Sequence, residues 1–338
     1  MKNHITPKED EMAKSDSFHI INWFRIGKNV SWKLSFMSLQ TLLYFFKPFK
    51  TERRFNAVQQ KHKFVLSYLN EIYKDDIAGY KDNADELSAP SNKDIWVFWN
   101  TGEDSMPPIV KLCQASLKKH ANGAKIHLLT MANLNEFIEI PSHIMKKYEN
   151  GRMTLAFLTD YIRICLLEKY GGLWLDATIL ATQDIPDKIF NQPLYSLHTK
   201  YEKTIFVNDN KIHCYVLGGM KGYSFFTYIR QELEEYWKDH DFMIDYYLLD
   251  YTIMHAYLHN KTIRKRIDNL EYTPSSLYDI IAIINEPASN TKLLSLEKEN
   301  IFSKLNWRVI PRNSSKGEDT VFSHLSKEMA NRIDLQQS

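Results

Sequence analysis

Asp160, Arg163 and Asp176 are the residues of this chain whose types and spacing best suit catalysis, and they lie together in LAFLTDYIRICLLEKYGGLWLDATIL, residues 155–180. Asp160 and Arg163 are three apart, so a helix would put them on one face. Asp176 follows the apolar run Leu173-Trp174-Leu175, and open α/β sheets bind their ligands at the carboxyl ends of strands. A carboxylate there is placed to hold a cation or to orient a bound substrate, so the active site is expected here. The plainer readings are an ion pair along the helix surface for Asp160 with Arg163, and a turn cap for Asp176.

The elements that must position these groups are legible nearby. Leu155, Leu158, Ile162 and Cys165 recur at helical spacing and should face a core. Gly171 and Gly172 supply the positive-φ residue that commonly ends a helix, and a buried strand follows. Upstream, Ile95-Trp96-Val97-Phe98-Trp99 is apolar throughout, as a strand covered on both faces is. A polar loop at 100–105 comes next, and Pro107 and Pro108 start a helix that should run to about His120. Asn122-Gly123 is a turn, residues 125–130 a second strand, and short helices are expected at 134–138 and 142–148. Strands alternating with helices argue for a mainly parallel sheet with helices on both faces, which would bring the loop at 100–103 near Asp176. Further on, residues 179–182 should extend the strand before Asp176, and 194–198 and 211–219 read as strands. Helices are expected at 223–240 and 243–258, the second carrying Asp245 and Asp250.

With 338 residues and 44% apolar content, the chain can bury a substantial core. Aromatics reach 13%, residues that often line sugar and nucleotide sites but are also ordinary core. A net charge of +2 gives no sign of a nucleic-acid partner. That charge is uneven: residues 17–66 hold nine Lys and Arg against Glu52 alone, a local +8. Trp23, Phe24, Trp32 and Phe36 accompany it, which suits a helix lying on an anionic membrane surface or a helical hairpin packed on the main domain. No apolar run reaches roughly 18 residues, and residues 1–16 lack the apolar centre of a signal peptide. Cys113, Cys165 and Cys214 make no metal-binding spacing and fit a reducing compartment, so a cytoplasmic location is expected. There is no dinucleotide loop, phosphate loop, His-Glu-x-x-His or nucleophile elbow.

The run Leu158-Thr159-Asp160-Tyr161-Ile162-Arg163, followed by Lys169-Tyr170-Gly171-Gly172-Leu173-Trp174-Leu175-Asp176-Ala177-Thr178, resembles the capsular polysaccharide synthesis protein family. More widely it is similar to the DXD-containing sugar transferases of GT-A fold. The opening strand with Gly102, residues 108–110 and 116–120, and Trp237 with residues 244–246 extend the likeness over about residues 94–307. The resemblance implies an α/β, GT-A-like fold: a mainly parallel nucleotide-binding sheet flanked by helices, with an N-terminal helical extension and a helical C-terminal part. The chain divides accordingly into a tail at 1–16, a basic aromatic extension and linker at 17–93, the transferase domain at 94–322 and a C-terminal tail at 323–338.

The resemblance also implies roles. Asp176 and Asp160 would be catalytic, and Trp99, Gly102, Asp160, Arg163 and Asp176 would bind the donor, although Trp99 is equally well a core aromatic. A departing diphosphate gathers negative charge, which Mn2+ or Mg2+ in an oxygen-rich site can offset; Asp176 and Thr178 would hold that ion. Thr178 stands where the DXD pattern has its second aspartate and leaves a neutral oxygen. The family's late histidine, near a His-Lys-Leu motif, is absent from Ser303-Lys304-Leu305-Asn306-Trp307, with His213 and His324 as conceivable substitutes. Asp245 and Asp250 would meet the acceptor sugar, or else cap or solvate their helix. The expected activity is hexosyl transfer from a nucleotide-diphosphate sugar, UDP-linked, to a surface or capsular polysaccharide acceptor on a lipid carrier, with retention and metal assistance, at the inner face of the cell membrane. The competing expectation is a catalytically inactive sugar-nucleotide-binding scaffold in capsule assembly.

Overall fold

The computed structural model describes residues 52–88, 93–200, 204–289, 292–315 and 317–336. The tail and the basic aromatic stretch up to residue 51 lie outside the described residues, and with them the greater part of the membrane-docking expectation for residues 17–66; only its last part, from residue 52, is described, as the start of a helix.

The apolar runs become one mixed sheet. β1 (Asp94–Phe98) pairs in parallel with both β2 (Lys125–Leu129) and β3 (Gly172–Leu175). β6 (Val216–Gly219) joins β3 antiparallel, and β5 (Tyr195–Ser196) joins β6 antiparallel. The order across the five strands is β2-β1-β3-β6-β5. Side chains alternate between the two faces of a strand, and both faces here are dry. Trp96, Phe98, Trp174 and Leu217 enter one core; Ile95, Val97, Leu173, Leu175 and Val216 enter another. Burial on both sides is why these runs show no polar alternation.

The sheet is less parallel than the sequence pattern suggests. Between β3 and β6 the described residues hold no helix longer than the single turn Asp187–Ile189. A parallel return needs a crossover of a dozen or more residues, usually a helix, so these strands turn back instead. Residues 179–181 do not extend β3 either. They form β4 (Ile179–Ala181), which pairs antiparallel with β7 (Phe302–Lys304) in a separate ladder. The helix expected at 134–138 is one 3-10 turn, Leu134–Glu136.

Helices cover both faces. They are α1 (Glu52–Gly79), α2 (Pro108–His120), α3 (Ser142–Glu149), α4 (Leu155–Tyr170), α5 (Ser224–Asp239), α6 (Leu248–His259), α7 (Lys261–Asp268), α8 (Asp279–Ile283), α9 (Lys292–Glu299) and α10 (Val321–Gln336). α4 is buried along most of its circumference, with Phe157, Leu158, Tyr161, Ile162, Ile164, Cys165, Leu166 and Leu167 all in the core. α1 adds Val65, Leu69, Tyr73 and Ile77 to that same core. α10 lays Val321, Leu325 and Met329 against Ile109 and Leu112 of α2. No helix among the described residues is long and apolar enough to cross a membrane.

The Gly171-Gly172 pair is what lets α4 hand over to β3. Both have positive φ, 72° and 94°. A Cβ on Gly172 would stand 2.3 Å from the Asp94 carbonyl oxygen, and one on Gly171 would stand 2.5 Å from the Lys221 amide nitrogen. These are backbone atoms of neighbouring segments and cannot swing aside. The Gly171 carbonyl also accepts the Trp96 indole N–H at 2.9 Å. Gly172→Ala should therefore cost about 2–3 kcal/mol, the sum of backbone strain and forced separation of β1 from β3. Urea unfolding of the variant checks this, and a loss below about 1 kcal/mol would mean the junction is softer than its geometry suggests.

Candidate active site

The carboxyl ends of β1 and β3, the amino-terminal half of α4, the β4–β7 ladder and the start of α6 enclose a cleft of about 610 Å³. That is the size of a small-molecule site.

Strand alternation puts Asp176 on the Trp174 side, and the Trp174 indole N–H donates to Asp176 Oδ1 at 3.0 Å. The Asp176 N–H donates to the Tyr215 carbonyl, and the Asp176 carbonyl accepts from Ile179, both at 2.9 Å, which fixes the turn. Arg163 lies one turn beyond Asp160 on α4. Its Nη2 is 3.2 Å from Asp160 Oδ1 and 3.2 Å from Asp176 Oδ1, so one guanidinium bridges both carboxylates. The same guanidinium sits 5.0 Å from the centre of the Trp174 ring.

A second cation arrives from far along the chain. The β4–β7 register sets Lys304 opposite Ile179, and the Leu305 N–H donates to the Thr178 carbonyl at 2.8 Å. This brings Lys304 Nζ to 2.9 Å from Asp176 Oδ2 and 2.9 Å from Thr178 Oγ1. The Tyr215 ring lies beneath it at 4.8 Å. Trp99 and Trp307 meet edge to face at 6.2 Å, and the buried Trp99 indole N–H has no partner among the described residues. Tyr246, Tyr247 and Asp250 form another wall, with Asp250 accepting from Asn208 Nδ2 at 2.5 Å.

The carboxylates titrate in opposite directions. Burial pushes Asp160 up; Arg163 opposes this, but Asp250 and Asp176 add to it, and its pKa rises to about 7. Burial also raises Asp176, yet Lys304 and Arg163, helped by hydrogen bonds from Lys304 and Trp174, more than offset it and hold it below the usual carboxylate range. A raised carboxyl is stable protonated, so whatever Asp160 contributes to the fold is complete below its unfolded value of 3.8 and lost as pH rises through about 7. Ionising it also adds negative charge to the cleft. Binding of a UDP-sugar, whose diphosphate does not titrate in this window, should weaken as pH is raised through about 7, and Asp160→Asn should flatten that dependence. Titration calorimetry at stepped pH measures it; an equal slope in the variant would assign the effect to another group.

Asp176 and Thr178, the expected metal ligands, share a lysine instead. Both Asp176 oxygens face cations, and Thr178 contributes only a neutral oxygen. No group of three His, Cys, Asp or Glu side chains placed to hold a metal ion occurs among the described residues. One carboxylate neutralised from two sides, plus one hydroxyl, does not fit a resident divalent cation, which prefers several anionic or carbonyl oxygens.

The cleft brings together Trp99, Asp160, Arg163, Asp176, Thr178 and Asp250. It leaves out Gly102, whose φ of 78° and N–H to the Trp99 carbonyl at 3.0 Å make it a turn residue behind the strand. It also leaves out Asp245. That residue precedes α6, is fully buried, and pairs with Lys61 of α1 at 2.9 Å while accepting the Tyr247 N–H at 3.0 Å, so its charge is spent inside the fold. His213 is buried against Thr199 at 3.0 Å, and His324 is exposed on α10. Ser303, where the resemblance expects a histidine, is fully buried and absent from the cleft lining. Sequence reading missed Lys304 and Trp307, although both stand in the stretch compared with His-Lys-Leu.

The sequence pattern of the family described as capsular polysaccharide synthesis protein matches residues 46–325. Over 126 residues the chain is 25% identical to the O-glycosyltransferase braB of Annulohypoxylon truncatum, covering 35% of this chain and 30% of that protein. Over 106 residues it is 27% identical to the O-glycosyltransferase PaGT of Phomopsis amygdali, covering 29% of this chain and 26% of the relative. The chain thus spans less than a third of either relative's length.

Proposed function

We propose that this chain, which belongs to the capsular polysaccharide synthesis protein family, is a glycosyltransferase that moves a hexose from a nucleotide-diphosphate sugar, UDP-linked, to a surface polysaccharide acceptor. The observation that carries this reading is the convergence of Arg163 and Lys304 on Asp176 at the floor of a cleft with an aromatic mouth. Two fixed cations suit a diphosphate. The exposed Trp307 and the unpartnered Trp99 indole N–H suit a nucleotide base and its polar edge. Asp160, with its raised pKa, is positioned to donate a proton in a hydrogen bond to the donor sugar or phosphate. Asp250, Tyr246 and Tyr247 suit the acceptor. The names of the two relatives support transfer of a sugar at most; UDP, retention and a lipid-linked acceptor are part of the proposal.

The test is release of UDP or GDP by the purified protein from a panel of UDP- and GDP-sugars with glycan acceptors. Nucleotide binding without turnover across the panel would favour a sugar-nucleotide-binding scaffold in capsule assembly instead. Membrane delivery is tested separately. Because α1 is part of the core, the truncation should stop short of it. Removal of residues 1–50 should weaken co-sedimentation with anionic vesicles in a salt-sensitive way, and unchanged sedimentation would dismiss the idea.

A further inference from the structure

We propose that the Lys304 ammonium, held between Asp176 and Thr178 and facing Arg163 across Asp176, binds the leaving diphosphate of the donor in place of a divalent metal ion. This deepens the sugar-transferase reading and rests on it. Lys304 Nζ takes the two oxygens, Asp176 Oδ2 and Thr178 Oγ1, that a metal ion at this position would need, each at 2.9 Å. An ammonium carries three donors. Two are engaged, which leaves the third for a phosphate oxygen.

The position is built rather than incidental. Lys304 sits in a ladder with register Ile179↔Lys304, Leu180↔Ser303 and Ala181↔Phe302. Its flank is locked by the Leu305 N–H to the Thr178 carbonyl, and its ammonium rests over the Tyr215 ring. The ladder therefore holds Lys304 against the turn that carries Asp176, and the replacement of a second aspartate by Thr178 becomes intelligible. A carboxylate there would give the lysine two full negative charges and neutralise it; a hydroxyl holds it while leaving its charge for the substrate. Arg163 completes the pair from the other Asp176 oxygen.

In the transfer, the bond between the sugar's anomeric carbon and the diphosphate oxygen breaks and its electron pair stays on that oxygen. The acceptor hydroxyl oxygen forms the new bond to the anomeric carbon, and its proton leaves with the nucleoside diphosphate. Lys304 and Arg163 meet the charge that gathers on the phosphate oxygens, so atoms and charge balance without another reactant.

The experiment is UDP binding by calorimetry to the full chain, in EDTA and in Mn2+, for wild type, Lys304→Met and Lys304→Arg. Wild type should bind UDP within about twofold in the two buffers. Lys304→Met should weaken binding at least tenfold in EDTA, the loss of one charge-assisted contact, and Lys304→Arg should recover part of it. Binding by wild type that disappears in EDTA and returns with Mn2+ would overturn the lysine's role while leaving the sugar-transferase reading in place. This comparison needs no variant, so it holds even where Lys304→Met fails to fold. Unchanged UDP affinity in a folded Lys304→Met would overturn the proposal as well. Absence of UDP and GDP binding in both buffers would overturn the sugar-nucleotide reading and the lysine proposal together.

Discussion

Asp176→Asn should reduce sugar transfer by at least about 100-fold, the scale seen when one preorganised electrostatic group is removed from a reacting site. The substitution keeps the size of the side chain and one oxygen that can accept from Trp174 and Arg163. It removes the charge that fixes Lys304 and Arg163 on either side. Both cations remain in the cleft, so UDP binding should persist while turnover falls, because the charges are present but no longer held where the leaving group needs them. Stability gives an independent readout. The Asp176 carboxyl is held below its ordinary value of 3.8, so the stability it contributes is present above that value and disappears as pH falls through the lowered one. The difference in melting temperature between wild type and variant should therefore be clear at neutral pH and shrink below about pH 4. Transfer retained in the variant would remove Asp176 from the mechanism.

How far the sequence foretold this site depends on how local each signal is. Helix α4, its double-glycine stop and the strand ending at Asp176 were legible because periodicity, positive-φ glycines and an apolar run all lie within one stretch of chain. The mouth was legible for the same reason: Asn100 and Thr101 follow a buried strand and do reach the cleft with Asp176. Lys304 was not legible. It is separated from Asp176 by 128 residues and reaches it through a three-rung ladder that neither segment announces. Attention to a missing histidine at position 303 passed over its neighbour, although alternation along a strand sends the two side chains to opposite faces. Asp245 and Lys61 failed in the complementary way. The lysine counts as one more charge in a basic segment and the aspartate reads as an acceptor-sugar residue or a helix cap, yet the two are buried together as an ion pair. The direction of β6 was equally hidden, since an apolar run has the same pattern in either sense, and the connection from β3 carries no helical periodicity to mark the return.

Arg163→Met should cost about 4 kcal/mol of stability at neutral pH, the largest loss expected from a single substitution in the cleft, together with loss of transfer. The methionine can fill much of the volume beside Trp174, so the cost is electrostatic more than steric. Arg163 is 7% exposed and bridges Asp160 to Asp176; without it, Asp160, Asp176 and Asp250 share one cleft with Lys304 as the remaining cation at Asp176. Asp160 already has its pKa raised to about 7 with Arg163 opposing the rise. Removing the guanidinium should drive it higher, so that the variant takes up a proton where the wild type is half ionised. Part of the loss should accordingly return at acidic pH, where Asp160 is neutral in both proteins. Arg163→Met combined with Asp160→Asn should be more stable at neutral pH than Arg163→Met alone, because the second change removes the charge that the first leaves uncompensated. Urea unfolding of the four proteins in the cycle at two pH values measures both terms. A single variant within about 1 kcal/mol of wild type, or a double variant no more stable than Arg163→Met, would show that the bridge seen between the two carboxylates contributes little to holding the cleft together.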